Sequence, residues 1–217
     1  MNEQKQRRPG RPRDPEIHNK VLLAAQRVYV QGGRAGFTFE AIAREAAVGK
    51  PAIYRRWASV DDLMDDVLRS HTLVPENVLQ GDLRGELQEI AMATLRLAHS
   101  EQGAFILRLS SERGLQPGLY RQYFERLRNV IHFQNRALIV AAITRDELST
   151  ECDPDILIQA ITGSVLVGTL MGFVPPPRDA EAAARYCEHL VNQLLQGALP
   201  SHQPLPHAVR PDGRARA

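Results

Sequence analysis

The chain has 217 residues, 43% apolar and 24% charged, with a net charge of +2. That size and apolar fraction support one large or two small domains with a real core, and they exclude a disordered polyelectrolyte. The small net charge hides an asymmetry: residues 1–60 hold twelve Lys and Arg against five Asp and Glu, so this segment carries +7 and the remainder −5. A basic front on a mildly acidic body suits a polyanion contacted by one end only. No stretch reaches the ~18 consecutive apolar residues of a membrane span, and Arg7-Arg8 are not followed by an apolar signal core, so the chain reads as neither membrane-spanning nor secreted. Two cysteines, Cys152 and Cys187, make no disulfide framework and read as buried, reduced thiols of a cytoplasmic protein.

Residues 1–13 lack hydrophobic periodicity and read as a flexible basic arm. Within it Pro9-Gly10-Arg11-Pro12, followed by Arg13, has two readings. It is a narrow strip that lies in an A·T-rich minor groove, or a tail that adds only unspecific phosphate attraction. From about Asp14 to Val30 the apolar residues Ile17, Val21, Ala24, Ala25 and Val28 fall on one side of a helix, which Gly32-Gly33 ends. The cluster Gly32, Gly33 and Gly36 follows a helix and not a strand, so it reads as a turn and not a phosphate cradle.

The next segment is the most informative. Phe39, Ile42, Ala43 and Ala46 repeat at helical spacing behind Thr38, which stands where an N-cap hydroxyl belongs. Val48-Gly49 breaks the pattern, and Pro51 fits the first turn of a second helix because its missing N–H is not needed there. That helix carries Ile53 and Trp57 on one face. The other presents Lys50, Ala52, Tyr54, Arg55 and Arg56. Such a pair fits a helix-turn-helix whose second member enters the DNA major groove; the bland alternative is a surface hairpin with solvated arginines. In the first reading Gly49, Lys50, Pro51, Ala52 and Tyr54 approach bases or adjacent phosphates. Arg55 and Arg56 contact or flank the backbone, Thr38 reaches a phosphate, and Arg11 and Arg13 add contacts from the arm. A fourth helix starts at Ser59 with Asp61 and Asp62 in its first turn, and Leu63, Met64, Val67 and Leu68 form its apolar side.

Residues 17–68 resemble the DNA-binding domain of the TetR/AcrR family of bacterial transcriptional regulators. The segments KVLLAAQRVYVQGG, FTFEAIAREAAV, GKPAIYRRW and ASVDDL occur in that family's order and spacing. Two departures stand out: Ala47 occupies the place of the family's turn glycine, and Val60 that of a lysine that often opens the fourth helix and touches a phosphate. The resemblance implies an all-α protein: an amino-terminal three-helix DNA-binding domain followed by a ligand-binding and dimerisation bundle, about nine helices in all. It also implies a homodimeric bacterial repressor, nucleoid-associated when bound, that a small, largely apolar effector releases from a palindromic operator.

The rest of the chain is helical almost throughout. The expected division is an arm at 1–13, a helix-turn-helix domain at 14–60, a ligand-binding and dimerisation domain at 61–196 and a disordered tail at 197–217. Apolar residues from Ile156 to Leu170 cover nearly the whole circumference of one helix, where Gly163 and Gly168 permit close approach of a neighbour. A last helix presents Ala183, Ala184, Cys187, Leu190, Val191 and Leu194. Two antiparallel helices with surplus apolar surface suit a four-helix dimer interface, or else complete the monomer core. The residues proposed to surround an effector are Met92, Leu95, Phe105, Leu109, Tyr123, Phe124, Leu127, Ile131 and Met171, with Arg108, Gln159 and His132 as polar handles. Stripes of this kind also serve as plain core.

No catalytic or metal-binding constellation is evident and no cofactor is expected. Cys187 and His189 lie two apart on a helix and diverge, and Asp61/Asp62 and Asp65/Asp66 read as solvated charge. The alternative to a regulator is a helical small-molecule-binding protein or enzyme without specific DNA binding, whose arginines only coat its surface.

Overall fold

The computed structural model describes residues 15–70, 82–112, 114 and 117–196. They form nine helical spans and no strand: α1 (Pro15–Gly36), α2 (Phe39–Glu45), α3 (Lys50–Tyr54), α4 (Val60–Ser70), α5 (Leu83–Ala98), α6 (Glu101–Ser111), α7 (Pro117–Thr144), α8 (Pro154–Leu170) and α9 (Ala180–Gln196). The architecture is all-α, as the periodicity predicts. The basic arm at 1–13 and the tail at 197–217 lie outside the described residues.

Helix starts follow side-chain chemistry. Thr38 Oγ1 accepts a hydrogen bond from the Ala41 N–H at 3.2 Å, Ser100 Oγ from Gly103 at 3.0 Å, and Asp153 Oδ1 from Asp155 and Ile156 at 2.8 and 3.2 Å. At α4, Ser59 and Asp62 cap each other reciprocally: the Asp62 N–H donates to Ser59 Oγ and the Ser59 N–H to Asp62 Oδ2, both at 3.0 Å. Each cap satisfies N–H groups that the first helical turn leaves without partners.

Two cores result. The first joins α1 to α4 through Val21, Tyr29, Phe37, Ile42, Ile53, Leu63 and Val67, all nearly free of solvent, and it also takes in Phe105 and Leu109 of α6 and Tyr123 of α7. The second joins α5, the carboxy-terminal half of α7, α8 and α9 through Leu87, Leu95, Ile139, Ile161 and Val165. The long α7 therefore spans both. The division expected near residue 60 places α4 with the body, yet its apolar side belongs to the first core, so α4 is common ground between reader and body.

Within one chain α8 buries only Leu157, Ile158, Ile161, Val165 and Gly168. Ile156, Leu166, Val167 and Leu170 stay exposed, and so do Met171 and Phe173 just beyond. Gly168 does permit close approach, but of the chain's own turn: a Cβ there would stand 2.6 Å from Val174 Cγ2. Cys187 is buried and Cys152 half-buried, both unbridged; burial pushes both thiols up from their ordinary range.

The turn between α2 and α3 contains Ala47 at φ +50°, a left-handed conformation that costs a side-chain-bearing residue about 1–2 kcal/mol. Ala47→Gly removes that penalty while adding some unfolded-state entropy, so a net gain of about 1 kcal/mol is expected, seen as a melting temperature higher by about 2–4 °C. An unchanged or lower melting temperature would show that the strain is already relieved by its surroundings.

Candidate nucleic-acid interface

Helix α3 has five residues, too few to persist alone. It is held by what it buries. Ile53 is fully buried and Trp57, just after the helix, is 4% exposed. The Trp57 Nε1–H donates to Asp66 Oδ2 of α4 at 2.9 Å, and its ring stacks on His18 of α1 with centroids 5.4 Å apart. Residues from α1 and α4 thus clamp the carboxy-terminal end of the helix while Pro51 occupies its first turn.

The opposite face is open. Thr38, Gly49, Lys50, Pro51, Tyr54 and Arg55 are exposed and Ala52 is half-buried. The Tyr54 ring stands edge-on to the buried Phe39 ring at 4.8 Å, so a core residue of α2 sets its direction. Arg56 turns back and donates from Nη1 to the Ala52 carbonyl at 2.9 Å, which leaves Arg55 as the outward guanidinium of the pair. The Lys50 ammonium donates to Glu40 Oε1 at 2.9 Å, a hydrogen bond that holds the Glu40 carboxyl below its usual range. Glu40 was not among the residues expected here. It sits in the first turn of α2, two positions after the Thr38 cap, and its approach to Lys50 depends on how the turn folds α3 back on α2. Val60 is half-buried against the first core and offers no charge to a phosphate. Arg11 and Arg13 lie outside the described residues.

The residues expected around an effector do not form one cluster. Phe105 and Leu109 are fully buried in the first core, with Phe105 5.2 Å from the Tyr29 ring. Tyr123 lies in the same core, its hydroxyl pushed up to about 12 by burial, and half-buried Phe124 and Leu127 pack beside it. Met92 and Leu95 belong to the second core. Met171 is 65% exposed past the end of α8, and Gln159 is exposed as well, so these two are set apart from the others. The Ile131 and His132 side chains lie outside the described residues. A recess of about 340 Å³ opens between α4 and α7, lined by Asp65, Leu68, Arg69, Tyr123 and Arg126. Among the described residues that line it, Tyr123 alone is shared with the expected set.

Arg108 points elsewhere too. Its Nη2 lies 3.0 Å from Glu112 Oε1. Glu112 is 9% exposed and its Oε2 accepts from the Tyr29 hydroxyl at 2.9 Å and from the Arg34 N–H at 3.0 Å. Burial, and then the hydrogen bond to this carboxylate, raise the Tyr29 hydroxyl above its ordinary range. Locally the sequence offers only the i,i+4 pair with Arg108; the Tyr29 and Arg34 partners lie 83 and 78 residues away.

A clamped short helix with an open cationic and aromatic face, carried on a helical body, defines a helix-turn-helix DNA-binding regulator. Residues 21–67 match the model of the bacterial regulatory proteins of the tetR family, and residues 79–194 match a tetracyclin repressor-like C-terminal domain. The chain belongs to the TetR family of transcriptional regulators. It is 28% identical over 170 residues to the uncharacterized HTH-type transcriptional regulator YdeS of Bacillus subtilis, covering 76% of this chain and 84% of YdeS. It is 24% identical over 181 residues to the uncharacterized HTH-type transcriptional regulator Rv1556 of Mycobacterium tuberculosis, covering 81% and 85%. Among solved structures it shares the fold of Bacillus subtilis FadR in complex with stearoyl-CoA (TM-score 0.62, 14% identity, 83% of this chain and 98% of that one). Salmonella enterica GusR is similar in the same sense (TM-score 0.62, 15% identity, 89% and 100%).

The Lys50–Glu40 pair is exposed, so its bond is weak and salt-screened. Glu40→Gln loosens the hold on the ammonium and removes a negative charge from the open face. DNA affinity at low salt is expected to rise about two- to fivefold, with the gain shrinking as salt increases. Weaker binding by Glu40→Gln in a salt titration would mean that the carboxylate itself contacts the DNA.

Proposed function

We propose that the chain is a homodimeric repressor whose two α3 helices read a palindromic operator in successive major grooves, and that a small, largely apolar effector held by the body releases it. The observation that carries this reading is the exposed face of α3: Lys50, Tyr54 and Arg55 stand outward while Ile53 and Trp57 fix the helix from behind. Lys50, Ala52 and Tyr54 are assigned to bases or adjacent phosphates. Arg55 and Thr38 are assigned to the backbone, with Gly49 and Pro51 permitting close approach. Arg56 shapes the end of the helix, and Arg11 and Arg13 extend the contact from the arm. Half-sites lie about 34–36 Å apart or somewhat more.

Dimerisation is assigned to α8 and α9. Ile156, Val167, Leu170, Met171 and Phe173 are each more than half exposed in the single chain, and apolar surface this extensive suits an isologous partner. Met171 thus moves from effector to partner. The effector is assigned to the α4–α7 recess beside the first core, where Leu68 and Tyr123 line it and α4 joins the reader to the rest. The stearoyl-CoA complex of the similar FadR fold supports an amphipathic molecule, and Arg69 and Arg126 at the recess would suit an anionic end. An effector that binds better to dimers with misplaced α3 helices draws the population away from DNA. No helix among the described residues is long and apolar enough to cross a membrane, and we place the protein in the bacterial cytoplasm, without catalytic activity.

On a duplex selected from the region of its own gene, Lys50→Ala and Tyr54→Ala are each expected to weaken binding by about 1–3 kcal/mol, and Lys50→Ala also to lower the salt slope by about one. Gel shifts in which both variants bind like the parent would remove α3 from the interface. For the dimer, Val167→Glu with Leu170→Glu is expected to yield folded monomers in sedimentation, since buried unpaired carboxylates oppose association. A dimer unchanged by this pair would place the interface elsewhere.

A further inference from the structure

We propose that Glu112 is a positioning residue for DNA recognition: by holding the bend at Gly33-Arg34 from α6, it fixes the direction in which α2 and α3 leave the body, and with it the spacing of the two recognition helices. The proposal rests on the operator-binding dimer described above and adds the residue that sets its reach.

Helix α1 is the shared support of this region, because α2, α4 and α6 all pack on it. Gly33 bends α1 at φ 58°, ψ −157°, a region open almost only to glycine. Space demands glycine there as well: a Cβ would fall 1.9 Å from Glu112 Oε1 and 2.5 Å from Arg108 Nη2. The carboxylate occupies the place that any side chain would need.

Its bonds bracket the bend. The Tyr29 hydroxyl comes from the turn before it, and the Arg34 N–H from the residue after it. Thr38, the N-cap of α2, follows four positions on. The bend therefore cannot open or rotate without breaking two hydrogen bonds to a carboxylate that is 9% exposed. That carboxylate would keep the Arg108 ion pair but lose its partners on α1, a costly loss for a buried acceptor. A further hydrogen bond between α1 and α6, from Arg27 Nε to Glu101 Oε1, is exposed and correspondingly weak. A movement of the carboxy-terminal end of α6 reaches the reader through Glu112.

The test uses the full-length dimer and a set of duplexes in which the half-sites of a selected operator are moved together or apart by one or two base pairs. The parent protein is expected to prefer one spacing by about tenfold or more. Glu112→Ala is expected to lose about tenfold at that spacing while binding the altered duplexes within about threefold of it, so the profile flattens. Gly33→Ala, which pushes the carboxylate out, should do the same. Glu112→Gln keeps an acceptor oxygen for Tyr29 and Arg34 and should retain most of the preference. Tyr29→Phe, which leaves the packing intact, should show an intermediate profile and covers the case in which the alanine variants do not fold. If Glu112→Ala and Tyr29→Phe melt lower yet keep the parental profile, Glu112 is a structural cap only and the proposal fails. If the parent itself shows no spacing preference, the operator reading fails first and this proposal with it.

Discussion

A helix of five residues cannot hold its own shape in water, because closing its first turn costs more backbone entropy than its few hydrogen bonds return. The reader domain is arranged around that deficit. Ile53, fully buried, and Trp57, almost so, each contribute about 2 kcal/mol of burial. The indole is further fixed by Asp66 from α4 and His18 from α1. Stability is thus drawn from α1 and α4, so α3 goes where those helices put it. The exposed face carries little of that burden beyond the Lys50–Glu40 pair and the Tyr54–Phe39 contact, and Lys50, Tyr54 and Arg55 can serve recognition.

The same dependence links reader and body. The first core includes Phe105, Leu109 and Tyr123 from helices of the body, so the reader does not end where its own helices end. The α4–α7 recess lies against this shared core, with Leu68 and Tyr123 among its walls. A molecule settling there would press on the helices that carry α3 and would need no long pathway to influence DNA binding. At the far end α8 presents an apolar strip that one copy of the chain leaves open.

Much of the reader was legible because its determinants are local. Thr38, Pro51 and the Ile53/Trp57 spacing fall within twenty residues, and each acts through the backbone turn it occupies. Ala47 was visible as a departure in the turn, and its positive φ shows that the turn geometry survives the loss of glycine. The body was legible as helices but not as contacts. Phe105 and Leu109 repeat at helical spacing whether they line a cavity or pack on Tyr29. Arg108, read as a polar handle, spends its charge on Glu112. The sequence has Gly32-Gly33 end the first helix, whereas Gly33 only bends α1, which runs on to Gly36; its other role, vacating space for the Glu112 carboxylate, depends on a residue 79 positions away. Met171 fell outside the expected cluster because a helix apolar all round does not say which side meets its own chain and which a partner.

If two twofold-related copies of a clamped short helix read DNA, genomic fragments selected by the purified protein will share an inverted repeat. Hydroxyl-radical footprinting will then show protection on both halves about one helical turn or slightly more apart. Fragments with no common sequence, or protection confined to a single half, would contradict that reading.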